Sequence, residues 1–192
     1  FTEDVQITDE SATLSVLALH GPAAMKLLKT VAPGMNGADG LQQGQHLSHG
    51  SVTAVRWDEC GSPGVHLITP RDELLLLYEQ LTTAVGGVVP DVDADAESGG
   101  AKRDFPGGRG IGWLAYNTAR IEAGTPLFHV DFGPDCIPQE TGPIDHTVSF
   151  TKGCYRGQEV VARVQHLGKP KKQLRGLRFA DDRMPIAGSQ VF

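Results

Sequence analysis

Hydrophobic and polar residues alternate from Thr13 to Leu19 in Thr-Leu-Ser-Val-Leu-Ala-Leu, the period of a half-buried strand. His20-Gly21-Pro22 breaks that pattern, and Ala23-Ala24-Met25-Lys26-Leu27-Leu28 predicts a helix with Pro22 near its first turn. Residues 33–50 carry five glycines and little periodicity, so they read as a long loop ending in Gly44-Gln45-His46-Leu47-Ser48-His49-Gly50. Ser51 to Trp57 and Gly64 to Thr69 are β-rich runs separated by Asp58-Glu59-Cys60-Gly61-Ser62-Pro63, which predicts a β-hairpin. Pro70-Arg71-Asp72-Glu73 opens a helix that runs to about Ala84, with Thr69 as N-cap, Pro70 at the first position and acids in the first turn.

From Gly86 to Gly110 the composition shifts to Gly, Asp, Ala and Ser, the pattern of a surface excursion. Helical spacing returns over 111–123, with Ile111, Leu114, Thr118 and Ile121 near one face and Gly124 as the stop. Residues 125–143 read as loop, Ile144 to Phe150 as a strand, Thr151 to Arg156 as a turn, and Gly157 to about His166 as a helix. Leu174 to Phe179 starts another strand, and Pro185 and Gly188 mark a turn beyond it. The pattern as a whole is α+β, without an internal repeat.

Composition narrows the function classes. At 192 residues and 40% hydrophobic content the chain can bury a substantial core. A formal net charge of −6 repels a phosphate backbone over most of the surface, which argues against nucleic acid as a general partner. The basic run Lys169-Pro170-Lys171-Lys172 with Arg175 is the local exception and reads as solvated. Cys60, Cys136 and Cys154 are odd in number and form no CxxC pair, so neither a disulfide framework nor a zinc cage is indicated and a reducing cytoplasm fits. There is no long apolar span and no signal-peptide pattern at Phe1-Thr2-Glu3-Asp4, which predicts a soluble protein without a membrane partner. The chain begins without Met and ends on Gln190-Val191-Phe192, and it reads as a piece of something longer.

The most informative stretch is Lys152-Gly153-Cys154-Tyr155-Arg156-Gly157-Gln158-Glu159. A thiol just before a helix faces unpaired backbone N–H groups and the positive end of the helix dipole, and Lys152 and Arg156 add positive charge. Such a thiol is a candidate for reactivity; the alternative is a small buried hydrophobe, as most free cysteines are. His46 and His49 offer two metal ligands without a third nearby in sequence, so no metal site is expected there. His129 and Asp131 would share a face if their segment is extended. Among Trp57, Trp113, Tyr116 and Phe128, Tyr116 is the aromatic expected near a ligand.

The K-G-C-Y-x-G-Q-E pattern of residues 152–159 resembles the signature of the YgfZ family. Arg120-Ile121-Glu122-Ala123-Gly124, followed by Pro126, resembles the R-x-E-A-G-x-P segment that this family shares with the aminomethyltransferases, and Pro138-Gln139-Glu140 resembles the approach to the signature. The resemblance implies a ring of subdomains around a central channel that holds tetrahydrofolate, occupying residues 1–172, with 173–192 entering a C-terminal β-barrel. It also implies an accessory role in iron–sulfur cluster assembly or repair, with Cys154 as the functional thiol and client or assembly proteins as partners. Tyr116, Glu122, Arg120 and His66 become the candidate folate contacts. Arg120 and Glu122 are two apart on a helix and do not share a face, so at most one enters a common pocket, with Arg120 favoured as structural.

Two departures from the transferase pattern stand out. The acid expected at the end of Gly-x-x-Gly-x-Glu is His66 here, and Ala-Arg-Asp reads Ala115-Tyr116-Asn117. A pterin N–H donor would thus lose a carboxylate partner, which speaks against glycine-cleavage aminomethyl transfer. The alternatives are a folate-dependent one-carbon transferase or demethylase, and a protein-binding module with a vestigial pocket.

Overall fold

The computed structural model describes residues 4–85, 108–142 and 147–180. The chain divides into two units, Phe1–Ala123 and Gly124–Phe192.

The first unit is organised by one antiparallel sheet. Strands β1 (Leu14–His20), β2 (His46–His49), β3 (Val52–Arg56) and β4 (Gly64–Pro70) pair in the order β1-β4-β3-β2. Successive side chains of a strand point to opposite faces, and the sequence uses that period: Val65, Leu67 and Thr69 of β4 are buried on one face, while His66 and Ile68 lie on the other. Helices α1 (Ala24–Val31) and α2 (Leu74–Ala84) cover the apolar face. Leu28 of α1, Leu77 and Leu81 of α2, Met35, Ala54, Val65 and Leu67 form the core. Burying each large aliphatic side chain contributes about 1.5–3 kcal/mol. Helix α3 (Trp113–Glu122) completes this unit among the described residues.

The predicted hairpin is present as β3 and β4, and the helix after it as α2. Other boundaries differ for identifiable reasons. His20 ends β1 rather than breaking it, because its backbone still pairs with Gly64. The expected loop 33–50 contains a 3₁₀ turn, Ala38–Gly40, and the strand β2, whose short His-Leu-Ser-His run is held by pairing with β3 rather than by its own propensity. Thr69 is not a helix cap: it is a buried strand residue, β4 continues through Pro70, and a 3₁₀ turn at Arg71–Glu73 precedes α2. The stripe of Ile111, Leu114, Thr118 and Ile121 is exposed within this unit, and the inward residues of α3 are Tyr116, Asn117 and Arg120.

In the second unit, α4 (Pro138–Thr141) and α5 (Gln158–Leu167) pack together. Pro138 opens α4, and the Glu140 carboxylate accepts from the Ile137 N–H at 3.3 Å. Gln139 Nε2 donates to the Val161 carbonyl at 2.6 Å, fastening α4 to α5. The segment around His129 turns instead of extending: His129 has φ of 65°, and the Asp131 carboxylate accepts from the Leu127 N–H at 2.7 Å. His129 and Asp131 therefore do not share a strand face. Residues 147–150 form no strand, nor do Leu174 to Phe179, while Ile144, Asp145 and His146 lie outside the described residues, as do the 86–107 part of the surface excursion and the turn at Pro185 and Gly188. No helix among the described residues is long and apolar enough to cross a membrane.

Candidate functional site

The face of the sheet turned away from α1 and α2 carries the chemistry of the first unit. In the β1–β4 register Ala18 pairs with His66 and His20 with Gly64, so His20 and His66 are diagonal neighbours on one face. Gly64 lies directly opposite His20. An added Cβ there would lie 2.4 Å from His20 Nδ1, so the absence of a side chain makes room for the imidazole. The two rings meet edge to face with centroids 6.0 Å apart.

Glu59, from the connection between β3 and β4, reaches this face. Its Oε2 lies 3.3 Å from His66 Nε2 and 3.8 Å from His20 Nε2, and it accepts a 2.8 Å hydrogen bond from the Tyr116 hydroxyl of α3. Trp113, one turn earlier on α3, tilts over the Tyr116 ring at a centroid distance of 5.7 Å. The side chains of His20 and Glu59 are 10% and 11% exposed. Both ring nitrogens of His20 are buried without a hydrogen-bond partner.

Protonation follows from these neighbours. Burial holds the His20 imidazolium below its ordinary range, only partly offset by the Glu59 charge, so the ring favours its neutral form. Burial alone would raise the Glu59 carboxyl, but the hydrogen bonds it accepts from His66 and Tyr116 outweigh it and keep the group ionised. Burial, then the Glu59 carboxylate, push the Tyr116 phenol upward, which keeps it a donor. Burial and Glu59 also raise the neighbouring Cys60 thiol.

Of the four residues predicted to contact a ligand, His66 and Tyr116 are brought together through Glu59. Arg120 is 1% exposed, and its Nε donates to Asn117 Oδ1 at 2.8 Å. Glu122, two residues further on, is exposed. Sequence reasoning missed Glu59 and His20. The carboxylate missing at position 66 is present beside it, supplied by a turn residue. The available signal for His20 was the strand register, which puts it on the face of His66. A cavity of about 410 Å³ in the same unit is lined by His20, Leu19, Leu27, Tyr78 and Leu81 among others.

In the second unit the signature segment forms an exposed loop before α5. Cys154 is exposed, with Lys152, Gly153, Arg156 and Gly157 around it. Gly157 is the N-cap residue of α5 at φ of 89°, a left-handed conformation that glycine adopts without a Cβ penalty. The helix thus starts at Gln158, one residue later than the spacing predicts. Gln158 folds back so that its Oε1 accepts from the Tyr155 N–H at 3.4 Å, while Lys152 Nζ stands 4.6 Å over the Tyr155 ring. Glu159 pairs with Arg163 one turn on, at 2.6 Å.

No protein-family model matches the chain. It is similar to the tRNA-modifying protein YgfZ of Enterobacter sp. (strain 638), 30% identical over 184 residues that make up 95% of this chain and 47% of that protein. The tRNA-modifying protein YgfZ of Yersinia enterocolitica is 40% identical over 80 residues, 41% of this chain and 23% of the relative. The aminomethyltransferase of Moorella thermoacetica is 28% identical over 187 residues, 94% of this chain and 44% of that enzyme. The chain spans less than half the length of each of these relatives.

Proposed function

We propose that this chain, which belongs to the YgfZ family and is related to the aminomethyltransferases, is part of a tetrahydrofolate-binding accessory protein that supports iron–sulfur cluster assembly or repair. The observation that carries the reading is the exposed thiol of Cys154 on the Lys152–Glu159 loop, free of any bond and ahead of a helix. A soft, accessible nucleophile of this kind suits transient contact with a cluster, a client cysteine or an oxidised sulfur. The reading places the folate in a ring of subdomains with a β-barrel after it, as in the family's general plan.

The residues of the first unit fit a folate in their donor set. An ionised Glu59 carboxylate would accept from paired pterin N–H groups, and Trp113 and Tyr116 would offer ring faces for stacking. Tetrahydrofolate would supply one-carbon or reducing chemistry when bound. Glu59 and His66 would orient it, and Arg120, buried on the inner side of α3 and bonded to Asn117, would steady the helix that presents Tyr116. The relatives' name attaches them to tRNA modification. With a net charge of −6, a link through client enzymes is favoured over direct binding of tRNA.

The second reading, a folate-dependent one-carbon transferase, is favoured by one observation: Glu59 restores an acid where His66 had removed one. The test is rescue of an iron–sulfur client in cells lacking the gene, alongside calorimetric binding of tetrahydrofolate under anaerobic conditions. The accessory reading expects folate binding and loss of rescue in Cys154→Ala with the fold retained. Full rescue by Cys154→Ala would overturn it, and turnover of a methylated amine with folate would establish the transferase.

A further inference from the structure

We propose that His20, Glu59 and His66 form a binding site for a divalent transition-metal ion of borderline softness, such as zinc, held by two imidazole nitrogens and one carboxylate oxygen. One ring nitrogen from each histidine and a Glu59 carboxylate oxygen lie within 4.8 Å of one another, and Glu59 Oε2 stands 3.3 Å from His66 Nε2 and 3.8 Å from His20 Nε2. Metal–ligand bonds of about 2.0–2.2 Å put neighbouring donors roughly 3.3–3.6 Å apart in a tetrahedral shell and roughly 2.8–3.1 Å apart in an octahedral one, so the carboxylate-to-imidazole separations need only small side-chain rotations to close the shell.

His20 is nine-tenths buried, and neither of its ring nitrogens has a hydrogen-bond partner. Its Nε2 faces an oxygen at 3.8 Å, beyond hydrogen-bond reach but suited to share a cation. A buried polar atom left unmade is costly, and coordination answers it. The Tyr116 hydroxyl donates to that same Oε2, using one lone pair and holding the carboxylate in place while another lone pair stays open to a cation. Gly64, opposite His20 on the neighbouring strand, leaves room for the His20 imidazole. Three protein donors leave at least one coordination position for water or an exogenous ligand, the pattern of a reactive rather than a structural site. The proposal goes beyond the folate reading and does not depend on it.

The test is titration of the metal-stripped full chain with Zn²⁺ by calorimetry, with Co²⁺ absorption as the spectroscopic readout. One equivalent is expected to bind at micromolar strength or tighter without added folate. Glu59→Gln and His66→Ala are each expected to weaken binding at least tenfold, and Tyr116→Phe about 10–100-fold through the carboxylate it orients. His46→Ala is expected to leave binding unchanged. Circular dichroism confirms that each variant is folded, and Glu59→Gln, nearly isosteric, keeps the test decisive where a histidine variant unfolds. Absence of stoichiometric binding, or binding insensitive to Glu59→Gln and His66→Ala, would overturn the site. Metal binding with no tetrahydrofolate affinity would uphold the site and remove the folate reading; the converse would do the reverse.

Discussion

Gly64→Ala probes how tightly the face of the sheet is built. The Gly64 N–H donates to Asp58 Oδ1 at 2.8 Å, and its carbonyl accepts from the Trp57 N–H at 3.0 Å, so the backbone is pinned on both sides. A Cβ would stand 2.4 Å from His20 Nδ1 and 2.4 Å from the Trp57 carbonyl oxygen. Neither contact is tolerable, and the second is with backbone, so relief requires both a swing of His20 and a distortion at the start of β4. Overpacking of this kind costs about 1–3 kcal/mol. At about 2–4 °C per kcal/mol for a protein of this size, the thermal midpoint is expected to fall by roughly 2–12 °C. Gly40→Ala is the matched control, because a Cβ there meets nothing within 4 Å; it is expected to be neutral or to stabilise by up to about 1 kcal/mol. In a His20→Ala background one clash is gone and the other persists, so the cost of Gly64→Ala should shrink by at least about 0.5 kcal/mol without vanishing. Differential scanning fluorimetry on the four combinations reads this directly. Equal midpoints for Gly64→Ala and Gly40→Ala, or strict additivity with His20→Ala, would refute the packing argument.

Further measurements check other parts of the structure. Tyr116→Phe removes the 2.8 Å donor to an ionised carboxylate and should cost about 1.5–3 kcal/mol, read by urea denaturation; a change under about 0.5 kcal/mol would mean that the bond is not made. Leu28→Ala in the fully buried centre of α1 should cost about 2–5 kcal/mol by the same assay, and a surface-like value would displace α1 from the core. Brief iodoacetamide labelling with peptide mapping should modify Cys154 ahead of Cys60, whose thiol is half-buried and held protonated by burial and by Glu59; faster labelling of Cys60 would contradict both exposures.

The parts of the fold legible in the sequence are those set by local chemistry. The β3–β4 hairpin follows from two apolar runs around a Gly-Pro connection, and α2 from an apolar run behind acids. What escaped depends on pairing at a distance. His-Leu-Ser-His has little strand character, and β2 exists because β3 lies beside it. The exposed apolar stripe of α3 misleads for a related reason: Tyr116 turns inward to Glu59, and Asn117 and Arg120 satisfy each other on the same side, which periodicity cannot register. The signature loop was readable as chemistry from its own letters, whereas the His20–Glu59–His66 cluster required a register that only the β1–β4 ladder supplies.

That ladder also sets an order of assembly. β2, β3 and β4 follow one another along the chain and can zip as a local meander, but β1 joins the sheet by pairing Leu14 with Pro70 across everything between them. Such non-local closure is entropically slow and comes late. His20 travels on that last strand, so the histidines and the glutamate are not neighbours until the first unit has finished folding. The cluster is thus expected to assemble only once β1 has closed the sheet, so a half-made chain would present its histidines and glutamate apart.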